Sequence, residues 1–218
     1  MDTILKKIEM AKMRLFKLHH DANVGHIGPS LSILDTLMTL FNNVMDKDDR
    51  FILSKGHAAS ALYIALWSVG LITEKQLDTF CKDGAYLSAH PHGGLPLSLF
   101  PTGSLGHGPS LACGLALAAK RLRTTRRIWC FCGDGEWEEG ACWESLIFAA
   151  HHRLDNLTIA IDCNGLQGFG STVEVASLGD YSSRLQGFGA SIYTVDGHNP
   201  EAIAETLRMR EIGMPTII

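Results

Sequence analysis

The sequence predicts an α/β fold, three-layer α/β/α, built on a mostly parallel sheet, and three observations carry that prediction. Residues 127–132 form a short apolar run that stops at Gly133-Asp134-Gly135, the pattern of a buried strand ending in a tight turn. A helix-spaced stretch follows, and a second β-prone run, Leu157 to Ile161, then ends at Asp162-Cys163-Asn164. Strand, helix and strand of these lengths make one right-handed βαβ unit with parallel strands. Finally, 218 residues of which 46% are hydrophobic suffice for one sizeable core, so residues 1–218 are expected to form a single domain.

Taken in order, Ile4, Ile8, Ala11, Leu15 and Leu18 keep helical spacing and predict an opening amphipathic helix. Residues 23–30 are too rich in glycine and proline to continue it, and a second helix is expected over Leu31 to Phe41. Arg50 to Leu53 reads as a strand, Ser54 to His57 as the turn at its end, and Ala58 to Val69 as a helix of small residues. Ser88 to Gly94 and Thr102 to Gly108 are loops by composition, and an alanine- and glycine-rich helix is expected from Pro109 to Leu122. Within the βαβ unit the helix should bury Trp143, Leu146, Ile147 and Ala150. Ser191 to Val195 predicts a strand, with Asn199 as cap and Pro200 as first residue of the next helix. Pro215 to Ile218 reads as a last strand.

Composition excludes several partners. A net charge of -4 gives no electrostatic case for nucleic acid. Lys120, Arg121, Arg123, Arg126 and Arg127 do cluster, and their plain reading is a solvated helix end complementing the dipole. No apolar run is long enough to cross a membrane, and Lys6, Lys7, Lys12 and Arg14 interrupt any signal-peptide pattern. The six cysteines show no C-x-x-C pair and read as small core residues of a reduced, cytoplasmic protein. No Cys or His pair has the spacing of a structural zinc site.

In a parallel sheet the strand ends that bear ligands lie at one edge. Asp134 and Asn164 sit just past two such ends and should therefore be neighbours. One carboxylate, one amide and backbone oxygens are hard ligands that suit Mg²⁺. A single protein charge leaves most of the cation's charge for a bound phosphate or diphosphate. Gly135 is expected to clear room for the phosphate, and the helix start to offer N–H donors. Alone, Gly-Asp-Gly is more simply a turn or helix cap; the pairing with Asn164 favours the metal–diphosphate reading.

Gly133-Asp134-Gly135 followed by Glu139-Gly140, Trp143-Glu144, Asn156-Leu157 and Asp162-Cys163-Asn164 closely resembles the thiamine-diphosphate motif of transketolases. The resemblance extends to Leu53-Ser54-Lys55-Gly56-His57, whose histidine it places near the cofactor diphosphate. It extends also to the loop from Thr102 to Gly108, which it wraps around the cofactor through Gly103, Ser104 and Leu105. Asn23 to Ser30 is similar to the family's sugar-binding element around His26, though Val24, Ile27 and Pro29 depart from its pattern. His90-Pro91 resembles a second sugar-binding histidine, with His92 an additional one beside it, and His107 stands where glutamine is usual.

The resemblance implies a thiamine-diphosphate-binding domain. Asp134, Asn164 and the carbonyl of Leu166 would hold Mg²⁺, while His57, Gly103, Ser104, Leu105, Gly135 and Asn164 would hold cofactor. His26 and His90 would orient sugar hydroxyls and move protons. Glu139 and Glu144 would lie at a subunit contact; their plain reading is exposed helix-face charges. In the family the pyrimidine-binding half and a glycine-rich histidine segment follow this domain, and neither is recognisable here. The implied protein is the N-terminal subunit of a split transketolase, active only with a second subunit, in a hetero-oligomer with two copies of each chain. It would transfer a two-carbon ketol unit from a ketose or ketose phosphate to an aldose. The competing reading is a non-catalytic module that binds cofactor or partner. Retention of both sugar-binding histidines weighs against it.

Overall fold

A computed structural model describes residues 2–98 and 100–218. The chain runs α1 (Asp2–Ala22), α2 (Ile27–Thr39), β1 (Arg50–Leu53), α3 (Ala59–Ser68), α4 (Glu74–Leu77) and α5 (His107–Arg121). It continues β2 (Ile128–Gly133), α6 (Gly140–His151), β3 (Leu157–Asp162), β4 (Leu166–Gln167), β5 (Gly170–Ser171), α7 (Thr172–Ala176) and α8 (Tyr181–Gln186). β6 (Ser191–Ile192), α9 (Pro200–Arg208) and β7 (Thr216–Ile217) close it. Two compact units divide these elements.

The first unit comprises residues up to Asp46, Gly56–Gly103 and Val195–Arg208. It is helical. α1 buries Ile8, Ala11, Leu15 and Leu18, the stripe its spacing predicts. α3 buries every residue from Ala59 to Leu66, and its alanines let α1 and α2 pack closely against it. α2 begins at Ile27, four residues before the expected Leu31. Gly28 and Pro29 fall in its first turn, where backbone N–H groups have no intrahelical acceptor and proline forfeits nothing. Asn199 Oδ1 accepts the N–H of Ala202 at 3.1 Å and caps α9, with Pro200 in first position as expected.

The second unit comprises Lys47–Lys55, Ser104–Thr194 and Met209–Ile218. Its five-stranded sheet has the order β1-β2-β3-β7-β6, and every pairing is parallel. This is the α/β class that the alternating pattern predicts. β2 is buried along its whole length, as a central parallel strand must be. The register sets Gly133 beside Asp162, so β2 and β3 end level with each other. β6 has two residues instead of the expected five because its partner β7 has two, although Tyr193 still donates to Ile217 O at 2.9 Å.

α5 begins at His107 rather than Pro109, with Gly106 in left-handed conformation before it. α6 is where expected but turned by one residue: it buries Cys142, Ser145, Leu146 and Ala149. Ile147 is instead 55% exposed, and Trp143 stands edge-on to Trp137 with its indole N–H donating to Trp137 O at 2.8 Å. The reason is α5. Ser145 Oγ meets Ser110 Oγ at 2.8 Å, and Cys113 Sγ reaches Ser145 O at 3.3 Å. Only small residues on both helices permit that approach, so size outranks hydrophobicity in choosing the buried face.

Candidate functional site

The second unit carries the sheet edge at which β1, β2 and β3 end. Asp134 follows β2 directly, is 3% exposed, and its own N–H donates to Asp162 O at 3.2 Å. Its carboxylate is held from two sides. Oδ1 accepts the N–H of Gly135 at 2.9 Å and Oδ2 accepts the N–H of Gly165 at 2.7 Å. The acid at the end of β2 is thus bonded to the residue next to Asn164 beyond β3, so the two loops meet. Asn164 Oδ1 accepts the N–H of Leu166 at 2.9 Å, and its Nδ2 donates to Asp162 Oδ2 at 3.4 Å. Both bonds agree on which end of the amide is oxygen.

Burial pushes the Asp134 carboxyl above the ordinary carboxylate range, against the pull of the Gly165 and Gly135 N–H groups; Asp162 nearby adds to the rise. A buried acid that accepts two amide N–H groups, with a lone pair to spare on each oxygen, is a hard ligand suited to a cation. Among the described residues no group of three His, Cys, Asp or Glu side chains is arranged to hold a metal ion. A cation here would rely on Asp134, the Asn164 amide and uncharged or phosphate oxygens, which is the donor set of Mg²⁺ rather than zinc. The residues fit the group.

Gly135 packs closely against β4. A Cβ there would lie 2.9 Å from Gln167 Cβ, so the missing side chain admits β4, whatever else it admits. Gln167 in turn donates to Glu138 Oε1 at 2.8 Å. Leu166 is 67% exposed at the head of this small hairpin. Glu139 and Glu144 are both exposed, on the first turns of α6, and a Cβ on Gly106 would strike Glu139 Cβ at 2.9 Å. The plain expectation of exposed helix-face charges describes where they lie. Ser104 and Leu105 are exposed ahead of α5.

Three groups that sequence reasoning missed organise this edge. Glu136 is 2% exposed and accepts from Ser54 Oγ, from Gly106 N at 2.8 Å and from Gly133 N at 3.3 Å. Burial pushes its carboxyl up, and those donors oppose the shift. Lys55, fully buried, forms an ion pair with Asp162. Tyr181 on α8 donates its hydroxyl to Asp134 O at 2.9 Å. A charged residue placed directly after an apolar strand, as in Ser54-Lys55 and Ile161-Asp162, was the signal available.

The first unit gathers the histidines. His26 sits at φ 62 and ψ 24, a left-handed conformation that histidine tolerates better than most side chains, and it is exposed. Its ring centroid is 6.0 Å from that of His57 and 6.0 Å from that of His90. The loop bearing His26 is anchored from below: His19 contacts Val24 O at 3.2 Å through Nδ1 and Ser60 Oγ at 2.8 Å through Nε2. Tyr63 donates to Ser88 O at 2.9 Å and Ser88 Oγ to His90 O at 2.6 Å, fixing the second loop. A Cβ on Gly103 would approach His90 Cδ2 to 3.6 Å, and one on Gly56 would strike the Thr102 backbone at 2.9 Å. Desolvation lowers the His90 pKa from the ordinary histidine value, and the charge of His26 lowers it further. His92 lies apart from this cluster in its bonding, with its ring against Tyr86. His198 contacts Asp35 Oδ2 at 3.3 Å, in keeping with a turn residue.

Residues 6–218 match the family described as transketolase, thiamine diphosphate binding domain. The chain is 37% identical over 216 residues to one subunit of the apulose-4-phosphate transketolase of Phocaeicola vulgatus, covering 95% of this chain and 77% of that one. It is 38% identical over 191 residues to transketolase-like protein 2 of Mus musculus, covering 83% of this chain but 30% of that one. Among solved structures, transketolase from Leishmania mexicana superposes with a TM-score of 0.90 at 26% identity, over 99% of this chain and 36% of that one. The chain thus spans about a third of these two longer relatives. With Asp134 and Asn164 brought to one edge of a parallel sheet, and the match running almost end to end, the chain belongs to the transketolase family as its thiamine diphosphate-binding domain.

Proposed function

We propose that this chain is the N-terminal subunit of a two-chain, magnesium-dependent transketolase, moving a two-carbon ketol unit from a ketose or ketose phosphate to an aldose. The observation that carries the reading is the Asp134 carboxyl, buried yet accepting the N–H groups of Gly135 and Gly165 at the loop that bears Asn164. A two-chain enzyme is supported by likeness: a relative named as a transketolase subunit matches 95% of this chain at 37% identity. The partner would carry the pyrimidine-binding half, in an assembly with two copies of each chain. On this reading residues 1–218 act as one cofactor-binding domain in the cytoplasm, and the six free cysteines support a reducing compartment.

Asp134, Asn164 and the Leu166 carbonyl would hold Mg²⁺, and His57, Gly103, Ser104, Leu105, Gly135 and Asn164 the cofactor. Thiamine diphosphate, when bound, supplies the electron sink that stabilises the transferred unit. The protein's part is placement and proton movement. His90, whose desolvation favours the uncharged imidazole, would offer a ring nitrogen to a sugar hydroxyl, and His26 beside it a second donor or acceptor. Glu139 and Glu144, exposed on α6, are available to a partner chain.

The test is co-purification with the product of the neighbouring reading frame, followed by a ketol-transfer assay with thiamine diphosphate and Mg²⁺. Activity in the mixture and none in either chain alone supports the reading. Asp134→Ala should abolish turnover and weaken cofactor affinity by about tenfold or more. Unchanged affinity in that variant overturns it.

A further inference from the structure

We infer that Lys55 and Asp162 form a positioning pair for the cation site: Lys55 cancels the charge of Asp162, and Asp162 holds the Asn164 amide with its oxygen toward the cation. The inference rests on the magnesium reading above and adds two residues to it.

Three carboxylates crowd this sheet edge, namely Asp134, Glu136 and Asp162, and they are differently employed. Glu136 is saturated by Ser54, Gly106 and Gly133 and faces the base of α5. Asp162 ends β3 level with Gly133, one residue before Asp134, so its charge lies close to that of Asp134. Two uncompensated charges at this spacing would attract a bare cation and repel the diphosphate that must share it. Lys55 is fully buried, and a lysine is rarely found so deep without a partner. Its ammonium is paired with Asp162 Oδ2. The pair is neutral and the Glu136 oxygens are occupied by Ser54, Gly106 and Gly133, which leaves Asp134 as the carboxylate offered to the metal.

The same oxygen, Oδ2, accepts the Nδ2–H of Asn164 at 3.4 Å. An amide can be turned end for end at little steric cost, and only one of its ends is a metal ligand. Asp162 accepts hydrogen bonds and donates none, so it selects the orientation in which nitrogen faces it and oxygen faces away. The N–H of Leu166, donating to Asn164 Oδ1 at 2.9 Å, selects the same orientation. Partners that orient a ligand in this way are worth about 10–100-fold in metal affinity.

Substitutions can separate charge balance from orientation. Lys55→Met removes the ammonium that faces Asp162. Lys55→Met with Asp162→Asn restores neutrality and keeps an acceptor at 162. Lys55→Met with Asp162→Ala restores neutrality and removes the acceptor. Mn²⁺ is titrated into the full chain with saturating thiamine diphosphate and followed by electron paramagnetic resonance, with circular dichroism reporting folding. The Met/Asn pair should bind within about threefold of the unaltered chain, and the Met/Ala pair should be weaker by about tenfold or more. Lys55→Met alone, where it folds, should also lose about tenfold. Equal affinity in both neutral pairs overturns the orienting role of Asp162, and unaltered affinity in folded Lys55→Met overturns the charge-cancelling role of Lys55. Failure of the unaltered chain to bind Mn²⁺ and cofactor overturns the magnesium reading itself, a result that no comparison among variants can mimic.

Discussion

Replacing Gly108 by alanine would put a methyl group where Ser54 already stands. Gly108 is the second residue of α5, and a Cβ built on it falls far inside contact distance of Ser54 Oγ and Cβ and 3.0 Å from Ser54 Cα. Ser54 cannot yield cheaply, because its hydroxyl donates to buried Glu136 and accepts from the Gly108 N–H at 3.1 Å. Overpacking of this kind costs about 1–3 kcal/mol. Losing a hydrogen bond to a buried carboxylate adds roughly 1.5–3 kcal/mol. Alanine's better helix propensity returns at most about 1 kcal/mol, so a net loss of about 1.5–6 kcal/mol is expected. Gly114, on the same helix with nothing within 4 Å of its would-be Cβ, is the control. Gly114→Ala should leave stability unchanged or raise it by up to about 1 kcal/mol. Urea unfolding with linear extrapolation measures both. Adding Ser54→Gly to Gly108→Ala should recover the overpacking but not the lost hydrogen bond, giving a coupling of about 1–3 kcal/mol. If Gly108→Ala is neutral, or shares the sign of the control, the close packing of α5 on the end of β1 is wrong.

Glu136→Ala should destabilise by about 3 kcal/mol or more, since it strands the Gly106 and Gly133 N–H groups and the Ser54 hydroxyl without an acceptor; chemical denaturation reads it directly. Asn199→Ala removes the cap of α9 and should cost about 1 kcal/mol, with Asn199→Asp restoring most of it. His90 carries a pH signature. Its pKa in the folded chain is lowered from 6.5, so below that value the unfolded chain takes up the proton more readily. Its contribution is therefore whole above pH 6.5 and lost as pH falls toward the lowered folded value. The urea midpoint of His90→Gln should fall less between about pH 7.5 and about pH 5.5 than that of the unaltered chain, and equal falls would refute the assignment.

What the sequence disclosed was whatever depends on short spacing. The βαβ unit from Ile128 to Asp162 is read from local periodicity and two turns, and parallel pairing then forces Asp134 and the Asn164 loop together. Periodicity failed on α6, where Trp143 and Ile147 looked like core. A hydrophobic count cannot see that α5 demands small neighbours, which is a property of the other helix. Proline misled at α2 because its prohibition applies to helix interiors, and Pro29 occupies the first turn. The hairpin of β4 and β5 gave no alternating signal, being two residues on each strand.

Partners far apart in the chain were the least legible. Lys55 and Asp162 are 107 residues apart, and Ser54 and Glu136 are 82 apart. Each looks alone like a polar residue at a strand end, where solvent is the ordinary expectation. Burial changes their meaning, because a charge without water must find its complement in the protein. At this edge only Asp162 has found a full one, in a lysine. Glu136 spends its oxygens on three neutral donors, and Asp134 receives two neutral amides. Neutral donors favour a carboxylate's ionised form without cancelling its charge, so Asp134, with fewer donors, is the acid left with capacity to spare in a place that disfavours its charge. A divalent cation carrying its own anionic ligand, as proposed above, would resolve that imbalance, and a motif of glycines and one acid can be so brief because the compensation around it is drawn from distant strands.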